Sequence, residues 1–429
     1  MMRSAGNALG IYVSFPFCRS KCTYCNFASG VYPATQQAAY MDRVTAELKS
    51  AREWAESMGA ELPRRVDTVY LGGGTPSLLA AERLTELFAV LRGEFDVDAD
   101  AEITVECAPG QLGETTLAAM AEAGVNRASL GVQSFVDREA RESGRLQSRA
   151  AVEEDLRRLR AAGIGNLNVD LIAGLAGQTY ASWEESLDAL DASGCPHASV
   201  YMLEVDLDSR LGRELLEGGT RYRAGLTPSE DATARMYERA IERLEAAGLR
   251  QYEISNFARP GSESRHNLRY WQRRAYLGVG LDASSMLRGR NARRGRDDEN
   301  RFAASPQEGR KEPGTEDAVL RATTTDDLAA YLAGTGATET EWLGPARQHE
   351  EAWFLGLRTN AGVDARALRN EFGTAPVETA METARRLSAD GLLVCEGERV
   401  SLTARGRLLS NDVFQEFLEP ETAAAGSMA

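Results

Sequence analysis

The sequence has no uninterrupted apolar run near the roughly 18 residues that a membrane helix needs. Its first residues, MMRSAGNALGIYVSFPFC, hold no apolar core of signal-peptide length. No transmembrane segment is expected, and the chain reads as cytoplasmic. Basic charge is short as well: 49 Lys and Arg stand against 64 Asp and Glu, a net charge of −15. Extended binding to a phosphate backbone rests on many Lys and Arg contacts, so nucleic acid is not expected as a partner. Cysteine is too sparse for a disulfide-built scaffold, at six in 429 residues. Histidine is scarcer still, with only His197, His266 and His349.

What is present is the composition of a globular protein, 43% hydrophobic and 26% charged. The length exceeds the usual prior for one domain, so a large domain with a smaller one is expected. Strand patterns at Leu9 to Ser14, Val66 to Leu71, Glu102 to Glu106, Arg127 to Gly131, Leu167 to Ile172 and Ala198 to Leu203 alternate with helical patterns. That alternation predicts an α/β fold with a parallel sheet and helices outside, a partial (β/α)6 barrel over residues 1–225. Residues 226–287 read as a linking segment. Residues 288–326, rich in Gly, Arg, Asp, Glu and Ser, read as a solvated, mobile insertion. Residues 327–429 end in a hairpin and helix pattern, a smaller winged-helix-like α+β domain.

Three of the six cysteines crowd into FPFCRSKCTYCNF, where Cys18, Cys22 and Cys25 follow the first strand with C-x3-C-x2-C spacing. Three thiolates at that spacing suit three corners of an iron-sulfur cubane and leave one iron open. A zinc site is the competing reading, yet structural zinc takes four protein ligands and no fourth Cys or His lies nearby. Gly72, Gly73 and Gly74 end the second strand, where glycines let backbone approach a ligand.

The cysteine spacing, placed after the first strand of a partial barrel, resembles the radical S-adenosylmethionine superfamily. That resemblance implies a [4Fe-4S] cluster whose open iron takes the methionine end of S-adenosylmethionine and cleaves it reductively. The segments YVSFPFCRSKCTYCNF, VYLGGGTPSLL, GVNRASLGVQSF, LNVDLIAGL, QYEISNFA, RHNLRYW and RGRLLSNDVF resemble the coproporphyrinogen-dehydrogenase-like (HemN-like) branch over nearly the whole chain. Matched motif by motif, the resemblance puts Tyr12 and Tyr24 near the nucleoside and Gly73, Gly74, Thr75 and Glu106 at the cofactor. It gives Gln133, Arg145 and Asp170 the remaining cofactor positions.

Two functions share this branch. The oxygen-independent coproporphyrinogen III oxidases carry a further cysteine two residues after the third, where this chain has Phe27. The HemW-type haem chaperones show that Phe and the signature H-N-x-x-Y-W, present here as His266, Asn267, Tyr270 and Trp271. A histidine beside two aromatics suits haem, through imidazole ligation and ring packing. The resemblance thus implies a haem chaperone that serves apo-haemoproteins such as respiratory enzymes. Its further expectations are peripheral membrane association and a cluster-dependent dimer. The alternatives are the oxidase and a cluster or zinc structural protein. Ser14, Ala108, Ala176 and Ser284 depart from the branch pattern, and Ser284 stands where a histidine is usual.

Overall fold

In a computed structural model, which describes residues 8–206, 209–290 and 318–418, the chain divides into two compact units. The first holds the bulk of the chain up to Trp342; the second holds residues 343 onward with the short pieces Tyr252–Ile254 and Tyr270–Arg273.

The first unit is built on parallel strands β1 (Leu9–Phe15), β2 (Arg65–Gly73), β3 (Asp96–Cys107), β4 (Arg127–Gln133), β5 (Asn166–Ala173) and β6 (His197–Met202), paired in chain order. The connecting helices include α1 (Thr35–Ser57), α2 (Ala81–Glu94), α3 (Glu114–Glu122), α4 (Arg149–Ala161) and α5 (Tyr180–Ser193). Local chemistry sets their ends: Ser148 caps α4, and Thr179 with Ser182 forms a capping box on α5.

The strands alternate with period two, and the two faces differ in kind. Ile11, Val13, Val69, Leu71, Ile103, Val105, Leu130, Val169 and Val200 are buried on one face. The opposite positions are polar or glycine: Tyr70, Gly72, Glu106, Ser129, Asn168, Asp170, His197 and Ser199. Cohesion therefore lies between strands and helices, and the polar side lines a cavity.

The fold goes beyond the six expected units. Tyr276–Val279 adds a seventh parallel strand beside β1, Ser284–Gly289 and Val319–Thr324 continue the sheet antiparallel, and Thr338–Leu343 forms its edge. Residues 226–287 are thus no mere link, because they supply helix Glu230–Ala246 and strands of the main sheet. The smaller unit starts at 343 rather than 327, since the chain stays in that sheet until then. Of the expected insertion, residues 291–317 lie outside the described residues; the two strands that bracket them pair with each other.

The second unit has its own core around Trp353, Leu357, Val377, Met381, Val400 and Val413. It contains helices Pro345–Leu357, Ala365–Phe372 and Thr374–Ala389 and the hairpin Leu393–Glu396 with Arg399–Leu402. Among the described residues, no helix is long and apolar enough to cross a membrane.

Candidate cofactor site in the barrel

A cavity of about 310 Å³ opens at the C-terminal ends of the strands, and Cys18, Cys22 and Cys25 all line it. The loop that carries them is pinned at several points. Cys18 N–H donates to Gly30 O at 2.8 Å, Thr23 N–H to Ser143 O at 3.0 Å, and Lys21 Nζ to Phe27 O at 2.7 Å and Ser29 O at 2.8 Å. Thr75 Oγ1 lies 3.6 Å from Cys18 Sγ. Burial pushes the Cys18 thiol up, and a bound metal reverses such a shift because thiolate is the ligating form. Among the described residues no three His, Cys, Asp or Glu side chains are grouped as a single metal ion would need. A cubane asks for a different arrangement, one thiolate at each of three iron corners.

One of the glycines beside the loop also makes room for the chain itself. A Cβ on Gly74 would stand 2.7 Å from Phe15 O and 2.9 Å from Phe17 O, so this glycine lets the cysteine loop pack close. Gly73 has φ +102°, a region that favours glycine. Its N–H donates to Glu106 Oε2 at 3.2 Å.

Glu106 also accepts from Tyr70 Oη at 2.8 Å. Burial is the chief reason its carboxyl is pushed up to about 7, and Asp170 across the cavity adds to the shift. Burial likewise raises Asp170, which accepts from Ser129 Oγ at 3.1 Å and Asn168 Nδ2 at 2.7 Å. Arg145 faces both acids. A Cβ on Gly131 would fall 2.7 Å from the Arg145 guanidinium, so glycine leaves the room that this side chain occupies. Gln133, on the same strand, adopts φ 66°, uncommon for a non-glycine and concentrated at functional sites.

Two carboxyls and one guanidinium in one cavity suit a zwitterion that carries extra positive charge, as a sulfonium amino acid does. Arg145 Nε and Gln111 Oε1 are buried without a hydrogen-bond partner among the described residues, which fits a polar ligand. The residues present therefore fit both the cluster and S-adenosylmethionine.

Of the expected site residues, Tyr24, Gly73, Gly74, Thr75, Glu106, Gln133, Arg145, Asp170 and Asn267 line this cavity with the cysteines. Tyr12 does not. It packs behind Tyr70 at 6.0 Å between ring centroids, and Tyr70, which the sequence reading passed over, takes the lining position.

The H-N-x-x-Y-W segment departs most from expectation. It forms the short helix Arg265–Trp271. Glu102 accepts from the backbone N–H groups of Arg265 and His266, each at 2.9 Å. His266 is 1% exposed, with Nδ1 2.9 Å from Thr68 Oγ1 and its ring beside Tyr70. Burial lowers its pKa to about 3, so the imidazole is neutral. The buried Arg269 pairs with Asp67 and donates to Ala8 O. These partners sit at the N-terminal ends of β1 to β3, so the helix closes the barrel floor. Tyr270 and Trp271 group instead with the second unit, where Arg358 lies over the Trp271 ring at 4.4 Å. His266 thus faces inward within the first unit, while Tyr270 and Trp271 belong to the second.

The sequence reading also missed the cavity wall formed by Arg127, Ser129, Asn168, His197 and Ser199. His197 Nδ1 lies 2.6 Å from Asn168 Oδ1, and burial keeps the ring well below its ordinary pKa. The signal was in the strands themselves: polar residues recur at every second position of β4, β5 and β6.

The comparisons with known proteins agree with this geometry. The Radical SAM superfamily profile matches residues 12–190, and the HemN C-terminal domain profile matches residues 343–409. The chain is 32% identical to the Heme chaperone HemW of Lactococcus lactis, over 95% of this chain and 96% of that one. It is 33% identical to the Heme chaperone HemW of Mycobacterium tuberculosis, over 96% and 95%. Among solved structures, coproporphyrinogen III oxidase (HemN) from Escherichia coli has a TM-score of 0.76 at 21% identity, covering 97% of this chain and 91% of that one, a likeness of fold.

Proposed function

The chain belongs to the HemW family of haem chaperones, and from that membership we propose that it binds haem and delivers it to apo-haemoproteins while its barrel holds a [4Fe-4S] cluster and S-adenosylmethionine. The observation that carries the reading is the full-length likeness to those chaperones. Phe27 agrees with it, since it stands at the cavity edge where the oxidase pattern has its further cysteine.

In this reading Cys18, Cys22 and Cys25 hold the cluster. Glu106, fixed by Tyr70 and the Gly73 N–H, offers its carboxylate to the ligand's ammonium. Arg145 and Asp170 face the rest of the ligand, Gln133 and Thr75 bound it, and the Tyr24 ring shields it from water. When bound, the cluster supplies an electron to the sulfonium. Neutral His266 and the Asp67–Arg269 pair keep the floor closed.

The polar wall of Arg127, Asn168 and His197 favours a second reading, because a radical oxidase would need such a chamber for substrate. One preparation distinguishes the two: haem titration by absorbance, paired with coproporphyrinogen III conversion under anaerobic reduction. Haem uptake without loss of propionates is the expected result. Steady protoporphyrinogen formation without haem uptake would replace the chaperone reading with the oxidase.

A further inference from the structure

Each of Cys18, Cys22 and Cys25 has a hydroxyl side chain beside its sulfur. Thr75 Oγ1 donates to Cys18 Sγ at 3.6 Å, and Ser29 Oγ lies 3.9 Å from Cys25 Sγ. The Tyr24 hydroxyl stands beside the Cys22 thiol and the Arg145 guanidinium. Its oxygen is buried and makes no hydrogen bond among the described residues. All three side chains line the cavity, Tyr24 and Ser29 from the cysteine loop and Thr75 from the turn after β2.

The surroundings fix which way these protons point. A thiolate on iron has no proton to give, so a hydroxyl in contact with it is the donor. Ser29 Oγ accepts from Lys21 Nζ at 3.4 Å, an ammonium that cannot accept, which leaves the serine proton for sulfur. Thr75 is held in place by its backbone: its N–H donates to Phe17 O at 3.0 Å and its carbonyl accepts from the Leu78 N–H at 3.0 Å. Thr75 and Ser29 are 6% and 8% exposed, so little water competes for either hydroxyl. Elsewhere in the barrel a buried threonine is satisfied by a carbonyl, as Thr116 is by Leu79 O at 3.2 Å. Three hydroxyls turned toward three sulfurs are more than packing requires.

A hydrogen bond to a ligating sulfur stabilises the more negative, reduced state of an iron-sulfur cluster over the oxidised one, and so raises its reduction potential. We propose that Thr75, Ser29 and Tyr24 donate to the sulfurs of Cys18, Cys25 and Cys22 and hold the potential of the [4Fe-4S] cluster up, so that it accepts an electron more readily. They act through the ligands and do not touch iron. The proposal rests on the reading above, in which these cysteines hold that cluster.

The test uses the full chain with its cluster reconstituted anaerobically and no S-adenosylmethionine added, because Thr75 and Tyr24 also border that ligand's place. Iron and acid-labile sulfide per chain are measured first, then the midpoint potential, followed by electron paramagnetic resonance of the reduced cluster. Thr75→Val, Ser29→Ala and Tyr24→Phe each remove one hydroxyl with little change of shape, and each should lower the potential. Combined, they should shift the reduction equilibrium about tenfold toward the oxidised cluster, or about 59 mV for one electron. Thr75→Ser keeps the donor and should stay at the wild-type potential. After exchange into heavy water, deuterium coupling to the reduced cluster should be weaker in the triple variant than in wild type. A triple variant with full iron, unchanged potential and unchanged coupling would overturn the proposal and leave the cluster standing; a wild type that takes up no iron and sulfide would overturn both. Should the triple variant lose iron, Thr75→Ser against Thr75→Val decides, and equal potentials in that pair would overturn the proposal.

Discussion

Glu106 is the residue whose protonation matters most, because its carboxyl titrates near 7 inside the cavity. In the proposed binding mode it is neutral below that pH and gives little to a cationic ligand, and above it the carboxylate pairs with the ammonium. S-adenosylmethionine affinity should therefore rise with pH up to about 7 and level off above, with a limiting slope of about tenfold per pH unit on the acid side. Equilibrium dialysis across that range checks it, and Glu106→Gln should flatten the profile and weaken binding. A second single-residue change concerns the loop. Gly74→Ala places a methyl against Phe15 O and Pro16, so the cysteine loop must shift. The purified variant should carry clearly less iron than wild type while its far-ultraviolet circular dichroism is retained. The glycine run was visible in the sequence, but its role was not, since only coordinates reveal what a missing side chain makes room for.

Helix Arg265–Trp271 shows how an element can be recognised and still be misplaced. H-N-x-x-Y-W stands out as a motif, yet nothing in its spacing tells whether the histidine faces solvent, ligand or floor. The answer depends on Thr68 and Glu102, about 200 and 160 residues earlier in the chain. His266→Ala should accordingly lower the thermal midpoint while the haem titration stays near that of wild type. Removing one partner of a buried ion pair typically costs about 3–5 kcal/mol. Asp67→Ala, which strands Arg269 at the floor, should destabilise the first unit by that order in a denaturant titration. The six strands were legible because each runs long enough to show its period. Tyr276–Val279 was not, being four residues whose place beside β1 comes from a partner at the far end of the chain. Tyr70 was likewise read only as part of a strand, because alternation reveals two faces without telling which one turns inward.

At the scale of the whole molecule, two units with separate cores imply that damage to one need not reach the other's chemistry. Trp353 is fully buried in the second unit, and its ring stacks on Phe417 at 5.0 Å. Trp353→Ala should destabilise that unit by about 3–5 kcal/mol, seen as an earlier transition in calorimetry, with iron content per chain unchanged. The inward polarity of the barrel strands has a consequence of a different order. Folding leans on the outward valines, leucines and isoleucines, so the lining positions are spared from holding the scaffold together. Such an interior can be rewritten by mutation with little risk to the architecture around it. The chemistry inside such a lumen is thus set independently of the fold that encloses it.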